Sequence, residues 1–162
     1  MLASFVKKMF GSQSDRDYKK NQPVVDDVNR IAAGYQSLSG EQLQSKTAEF
    51  KSRIAEQTAG PATRLADLEE QLRGDLEADE RDRLNDALDD VDRELRDLET
   101  AVLDEIMPDA FALVKESCRR LLNKSWDVAG NQEIWFMLPY DVQVFGAMIL
   151  HQGRIAEMAT GE

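Results

Sequence analysis

The chain has 162 residues, about the size of one domain, and combines 42% hydrophobic with 31% charged residues at a net charge of −11. So acidic a surface repels phosphate backbones and argues against nucleic-acid binding. The single cysteine, Cys118, excludes an intrachain disulfide, and one cysteine with one histidine makes a structural zinc site untenable. No apolar run reaches the ~20 residues of a membrane span, and no signal peptide is recognisable. These totals predict a soluble, cytosolic, mainly α protein.

The N-terminal segment combines apolar residues at helical spacing with lysines on the opposite side. Two interpretations remain open at this point. It is either a helix that lies on an acidic lipid surface or a short helix packed on protein. The residues assigned to membrane contact in the first case are Leu2, Phe5, Val6, Lys7, Lys8, Met9 and Phe10.

The next two segments read as helices. Residues from about 14 to 33 have helical apolar spacing, and Pro23 within them is expected to kink or split the helix. Ser39 with Gln42 has the pattern of a capping box and predicts a second helix over about 40–56. The Gly60-Pro61 pair is then expected to interrupt the chain.

Residues 60–102 differ from the rest in composition. Residues 61–100 hold 15 acidic and 6 basic side chains, which we interpret as a solvated helical face. A heptad seam follows the polar stretch 77–83 and favours an antiparallel helical hairpin over one long rod. The seam is free to pair within the hairpin or with a second chain, and its residues are Leu84, Leu88, Val91, Leu95, Leu98 and Val102.

The C-terminal part alternates helices with shorter elements. Pro108 is expected in the first turn of a helix over 109–122, and residues 123–138 read as a loop or short strands. Pro139 is expected to begin another helix that ends at Gly153. A β-strand is predicted near 154–158.

The last residues carry the one motif with chemical content. A strand followed by Thr160-Gly161-Glu162 is typical of the start of a phosphate-binding loop, although such a tripeptide alone is common. The helical carboxylates suggest no acid–base pair, and we predict no metal site within the chain.

Four blocks of residues stand out in order along the chain. They are Phe10-Gly11-Ser12 with Asp15-Arg16; Leu38-Ser39, Glu41, Leu43, Lys46 to Phe50 and Arg53; Pro108, Ala110 to Ala112 and Val114; and Asp141 to Gln143, Gly146, Ile155 to Met158 and Thr160 to Glu162. Together they resemble the SecA family of preprotein translocase ATPases over about 1–58 and 101–162. The resemblance implies a mainly α chain that forms the helical N-terminal part of a RecA-like, P-loop motor domain. It also implies three regions: N-terminal helices over 1–59, an inserted acidic hairpin over 60–102, and the start of the nucleotide-binding domain over 103–162.

The same resemblance implies a function. The parent protein would be an ATPase that couples hydrolysis of ATP with magnesium to preprotein export across the plasma membrane. Its partners would be the translocation channel, preprotein and acidic phospholipids, and it would be cytoplasmic and peripheral at the inner membrane face. The alternative from the residues alone is a helical adaptor that forms homodimers through the 84–102 seam.

Site residues follow from the resemblance by position. Gln143 would read the adenine edge, and Met137 and Tyr140 would line the adenine pocket. Gly161 and Glu162 would open the phosphate loop and Thr160 would precede it, and the next residues in the family are Gly-Lys-Thr. We therefore expect the 162-residue chain alone to lack hydrolysis and to bind nucleotide weakly at most.

Overall fold

The structure, a computed structural model, describes residues 13–157, with side chains from residue 16 onwards. Its elements are α1 (Gln13–Tyr35), α2 (Gly40–Leu72), α3 (Ala78–Leu121), β1 (Ser125–Val128), β2 (Asn131–Ile134) and α4 (Asp141–His151). The expected mainly α fold is confirmed. None of the helices described is both long and apolar enough to cross a membrane.

The chain forms two compact units. Residues 39–107 make the first, which we call the hairpin unit. Of the described residues, 13–38 and 108–157 make the second, which we call the pocket unit. These limits differ from the regions expected from composition and resemblance. The assignment of 60–102 as an insertion stays a prediction.

The hairpin unit contains α2, a five-residue turn and the first part of α3. Arg64 pairs with Glu94, and Arg53 with Glu105 at 3.1 Å, so the partner numbers fall on α3 as they rise on α2. The two helices are therefore antiparallel, and the hairpin alternative describes this region rather than a rod. The seam residues of α3 up to Leu98 are half-buried, and Val102 is fully buried.

Helix α2 begins as predicted but ends much later. Ser39 Oγ accepts from the Gln42 N–H at 3.1 Å, and Gln42 Oε1 accepts from the Ser39 N–H at 2.8 Å, which completes the capping box. The expected break at Gly60-Pro61 is wrong, because the helix continues to Leu72. Pro61 is buried, and this packing offsets the ~3 kcal/mol that an interior proline costs.

The pocket unit is built around α1, the end of α3 and α4. Helix α1 runs unbroken through Pro23, where a kink or split was expected. Helix α3 runs through Pro108, so the predicted separate helix over 109–122 is wrong. Pro23 is exposed and Pro108 is half-buried. The core of this unit includes Val25, Val28, Ala112, Val144 and Met148.

A two-stranded hairpin connects α3 to α4, in agreement with the prediction of a loop or short strands. Val128 pairs with Asn131, so the turn consists of Ala129 and Gly130, whose φ angles are +52° and +88°. Two positive φ values define a type I′ turn, which suits the twist of antiparallel strands. The Trp135 N–H donates to the Lys124 carbonyl at 2.9 Å and extends the pairing.

Helix α4 is terminated at its C-terminal end by a glycine in the left-handed conformation. Gly153 has a φ of +69°, its N–H donates to the Leu150 carbonyl, and the Arg154 N–H donates to the Ile149 carbonyl. This pair of bonds is a Schellman motif, as expected for a helix that stops at Gly153. The strand predicted over 154–158 is absent from the described residues 154–157, because β1 and β2 pair only with each other and offer no partner there; Met158 lies outside the described range.

Candidate functional site

A pocket of about 680 Å³ opens in the pocket unit. This volume lies within the usual range for sites that bind small molecules. Three segments line it: one face of α3, the connection before α4, and the first two turns of α4. The lining residues are Phe111, Val114, Cys118, Trp135, Phe136, Met137, Leu138, Pro139, Tyr140, Gln143, Val144 and Ala147.

The α3 wall consists of residues spaced three and four apart. Phe111, Val114 and Cys118 therefore share one face of the helix. Burial raises the pKa of the Cys118 thiol, so this residue is a neutral, weakly polar part of the wall. The sequence carried no signal that this face of the helix borders a pocket.

The connection before α4 presents aromatic surface. The Trp135 Nε1–H donates to the Met137 carbonyl at 2.8 Å, and its ring meets that of Trp126 edge-to-face. These contacts hold the backbone of the connection. Phe136 and Tyr140 are 81% and 66% exposed, so their ring faces are available to a planar ligand.

Gln143 supplies an amide group to the lining. Tyr140 is the N-cap residue of α4, and its backbone N–H donates to Gln143 Oε1 at 2.9 Å. A carboxamide oxygen has a second lone pair, and its nitrogen carries two N–H groups. Gln143 is thus held by its own helix and retains groups that can pair with a ligand edge offering a donor beside an acceptor.

A polar cluster lies directly behind this helix start. Asp141 Oδ1 accepts from Lys115 Nζ at 2.9 Å and from Asn29 Nδ2 at 3.0 Å, and Lys115 also bonds Asn29 Oδ1. The hydrogen bonds from Lys115 and Asn29 lower the pKa of Asp141. We call these three residues the α4 anchor, because they join α1, α3 and α4 at one point.

Three of the predicted site residues come together here. Met137, Tyr140 and Gln143 line the same pocket. Thr160, Gly161 and Glu162 lie outside the described residues, as does the whole membrane-directed set from Leu2 to Phe10. Among the residues 13–157, no cluster of His, Cys, Asp and Glu could hold a metal ion.

Comparison with known proteins agrees with the resemblance. The family model for the SecA DEAD-like domain matches residues 6–162. The chain belongs to the SecA family. It is 41% identical to the protein translocase subunit SecA of Chloroherpeton thalassium, with 99% of the chain covered. It is 43% and 44% identical to proteins of the same name from Prosthecochloris aestuarii and Chlorobium limicola, with 100% covered in each case.

The SecA relatives are much longer than this chain, which spans about 16% of the length of each. No solved structure matches significantly. Family membership therefore rests on the sequence, and the geometry of the pocket rests on the structure described above.

Proposed function

We propose that the complete protein is a translocase motor that uses ATP to move preproteins, and that the pocket is the adenine side of its nucleotide site. The observation that carries this proposal is the meeting of Met137, Tyr140 and Gln143 in one pocket. The resemblance to SecA assigns the same three residues to adenine.

The chemistry of the pocket suits adenine. Adenine presents an N6 amino donor beside a ring-nitrogen acceptor, and a Gln carboxamide pairs with both at once. Oε1 of Gln143 can accept from N6 with its second lone pair while it keeps the Tyr140 N–H. Guanine presents an oxygen in place of the amino group, so the same pairing disfavours it by about 1–3 kcal/mol.

The rings of Phe136 and Tyr140 offer stacking surface next to Gln143. Stacking of a base on an aromatic side chain contributes about 1–3 kcal/mol and differs little between bases. In this proposal, stacking contributes to the affinity for the base, and the hydrogen bonds of Gln143 discriminate adenine from guanine.

The remaining assignments complete the proposal. Gly161 and Glu162 open the phosphate loop, Thr160 precedes it, and magnesium binds with the ATP phosphates. Leu2 to Phe10 attach the protein to acidic phospholipid beside the translocation channel, at the inner face of the plasma membrane. These assignments are supported by family membership alone.

The decisive substitution is Gln143→Glu in the product of the complete gene. Glutamate keeps an oxygen for the Tyr140 N–H and suits the first turn of a helix, so α4 stays capped. It removes the N–H donors that adenine needs. We expect the dissociation constant for ATP to rise roughly 5- to 100-fold and the preference for ATP over GTP to fall, as measured by calorimetry.

The chain offers a matched control in Gln42, which occupies the same capping position in α2 and does not line the pocket. Gln42→Glu makes the same chemical change and should leave both dissociation constants unchanged. If Gln143→Glu binds ATP and GTP as the unchanged protein does, the adenine assignment is wrong.

A further inference from the structure

The α4 anchor lies close in the chain to Gln143, the residue proposed to read the base. Asp141 is the first residue of α4, directly after Tyr140 and two residues before Gln143. Its carboxylate oxygen receives Lys115 from α3 and Asn29 from α1. Three helices thus fix the turn that carries the pocket's carboxamide.

We propose that Lys115 and Asn29 are positioning residues. By holding Asp141 in place, they fix the position and orientation of the Gln143 carboxamide. The inference rests on the proposed adenine role of Gln143 and adds residues of α1 and α3 to that site. Neither residue lines the pocket.

The Gln143 side chain is held by the backbone of its own helix. Its Oε1 accepts from the Tyr140 N–H, so the carboxamide follows the backbone of the first turn. A carboxylate at a helix N-terminus is favourable in itself, but a solvated one leaves the turn free to shift. The anchor removes this freedom, and a binding group must be held within about 0.5 Å of its productive position.

The Lys115–Asp141 ion pair is expected to contribute little to the free energy of unfolding. The Asp141 side chain is 49% exposed, and ion pairs in such settings contribute little to stability. Loss of the anchor should therefore change the orientation of the Gln143 carboxamide more than it lowers the stability of the pocket unit.

A second ion pair provides an internal comparison. Arg154, three residues beyond the end of α4, pairs with Asp17 of α1 at 2.6 Å. One partner is half-exposed and the other mostly covered, 46% and 16% exposed, much as in the Lys115–Asp141 pair at 18% and 49%. The Arg154–Asp17 pair is distant from Gln143 along α4. Its loss therefore tests an effect on the stability of the pocket unit without an effect on the position of the Gln143 carboxamide.

The experiment compares Lys115→Met with Arg154→Met in the product of the complete gene. We expect Lys115→Met to lower the preference for ATP over GTP about tenfold, within the range set by loss of one base-reading contact. Arg154→Met should keep the preference at a similar melting temperature. Lys115→Arg, which retains a donor for Asp141, should restore most of it. Equal preferences in the two methionine variants would overturn the positioning role.

A second readout needs no nucleotide. Hydrogen exchange at the Tyr140 amide, whose bond to Gln143 depends on the anchor, should quicken at least about tenfold in Lys115→Met and stay unchanged in Arg154→Met. An unchanged rate in Lys115→Met would sink the inference whatever the pocket binds. An unchanged base preference in Gln143→Glu would instead remove the proposed adenine site, so the two failures are distinguishable.

Discussion

Glu116 of α3 is a buried carboxylate, with only 1% of the residue exposed. It accepts two hydrogen bonds from Arg119, at 2.6 and 2.8 Å, and one from Arg120 at 2.7 Å. Arg120 also donates to the carbonyls of Tyr35 and Leu38, which lie at and beyond the end of α1. The cluster therefore satisfies a buried charge and ties the end of α1 to α3.

This cluster predicts a specific pH dependence. The hydrogen bond from Arg119 outweighs burial and holds the pKa of Glu116 below its ordinary value. A lowered pKa in the folded state means stabilisation that is present above the ordinary value of about 4.3 and is lost as pH falls through the folded-state pKa. Glu116→Gln should cost about 1–3 kcal/mol of unfolding free energy at pH 7, and the difference should shrink in acid.

Chemical denaturation at pH 7 and at acid pH would measure this difference. Glu99→Gln is the control, since Glu99 is an exposed carboxylate on the same helix. Its unfolding free energy should follow that of the unchanged protein at both pH values. A Glu116→Gln deficit that stays constant into acid would contradict the role assigned to the carboxylate.

Among the elements, the β1–β2 hairpin has a turn whose sequence only partly suits its backbone conformation. A type I′ turn needs positive φ at both central residues and favours Asn-Gly. Gly130 meets that need freely, whereas Ala129 adopts a φ of +52° that its Cβ disfavours. The Gly130 N–H also donates to Asp127 Oδ1 at 3.0 Å, which helps to close the turn.

Substitutions in this turn should act in opposite directions. Ala129→Asn is expected to raise the unfolding free energy by roughly 0.5–1 kcal/mol, because asparagine tolerates the left-handed region. Gly130→Ala should lower it by about 1 kcal/mol or more, because the φ of +88° then strains a Cβ. Thermal unfolding of both variants tests the pair, and a shift of the same sign in both would show that the turn is not type I′ in solution.

For the whole molecule, the proposed membrane attachment concerns the segment from Leu2 to Phe10. Each lysine near an acidic lipid surface contributes about 1 kcal/mol, and salt weakens that attraction. The rest of the chain repels such a surface, because most of the net charge of −11 belongs to residues 61–100. Attachment should therefore depend on this segment rather than on total charge.

Co-sedimentation with vesicles of acidic or neutral lipid tests the proposal. Lys7→Gln with Lys8→Gln should weaken binding to acidic vesicles by about fivefold for each lysine and should leave the apolar face intact. Deletion of residues 2–10 should abolish binding. Lys19→Gln with Lys20→Gln is the matched control, and an equal loss there would assign the effect to general charge.

The sequence by itself determined the features whose causes are local. The capping box at Ser39 and Gln42, the stop at Gly153 and the hairpin region before α4 each depend on residues within a few positions of one another. The grouping of Met137, Tyr140 and Gln143 belongs here too, since one short segment carries all three. Family membership was likewise readable from ordered blocks of residues.

Only the tertiary structure decided the features that join distant parts of the chain. Pro61 and Pro108 predicted helix boundaries, but α2 and α3 continue through them, and Pro61 is buried. The pocket brings the α3 wall together with a later segment of the chain. The anchor at Asp141 depends on contacts between residues 26, 86 and 112 positions apart. No periodicity along the chain encodes such contacts, because they arise only when helices that are already formed pack against each other.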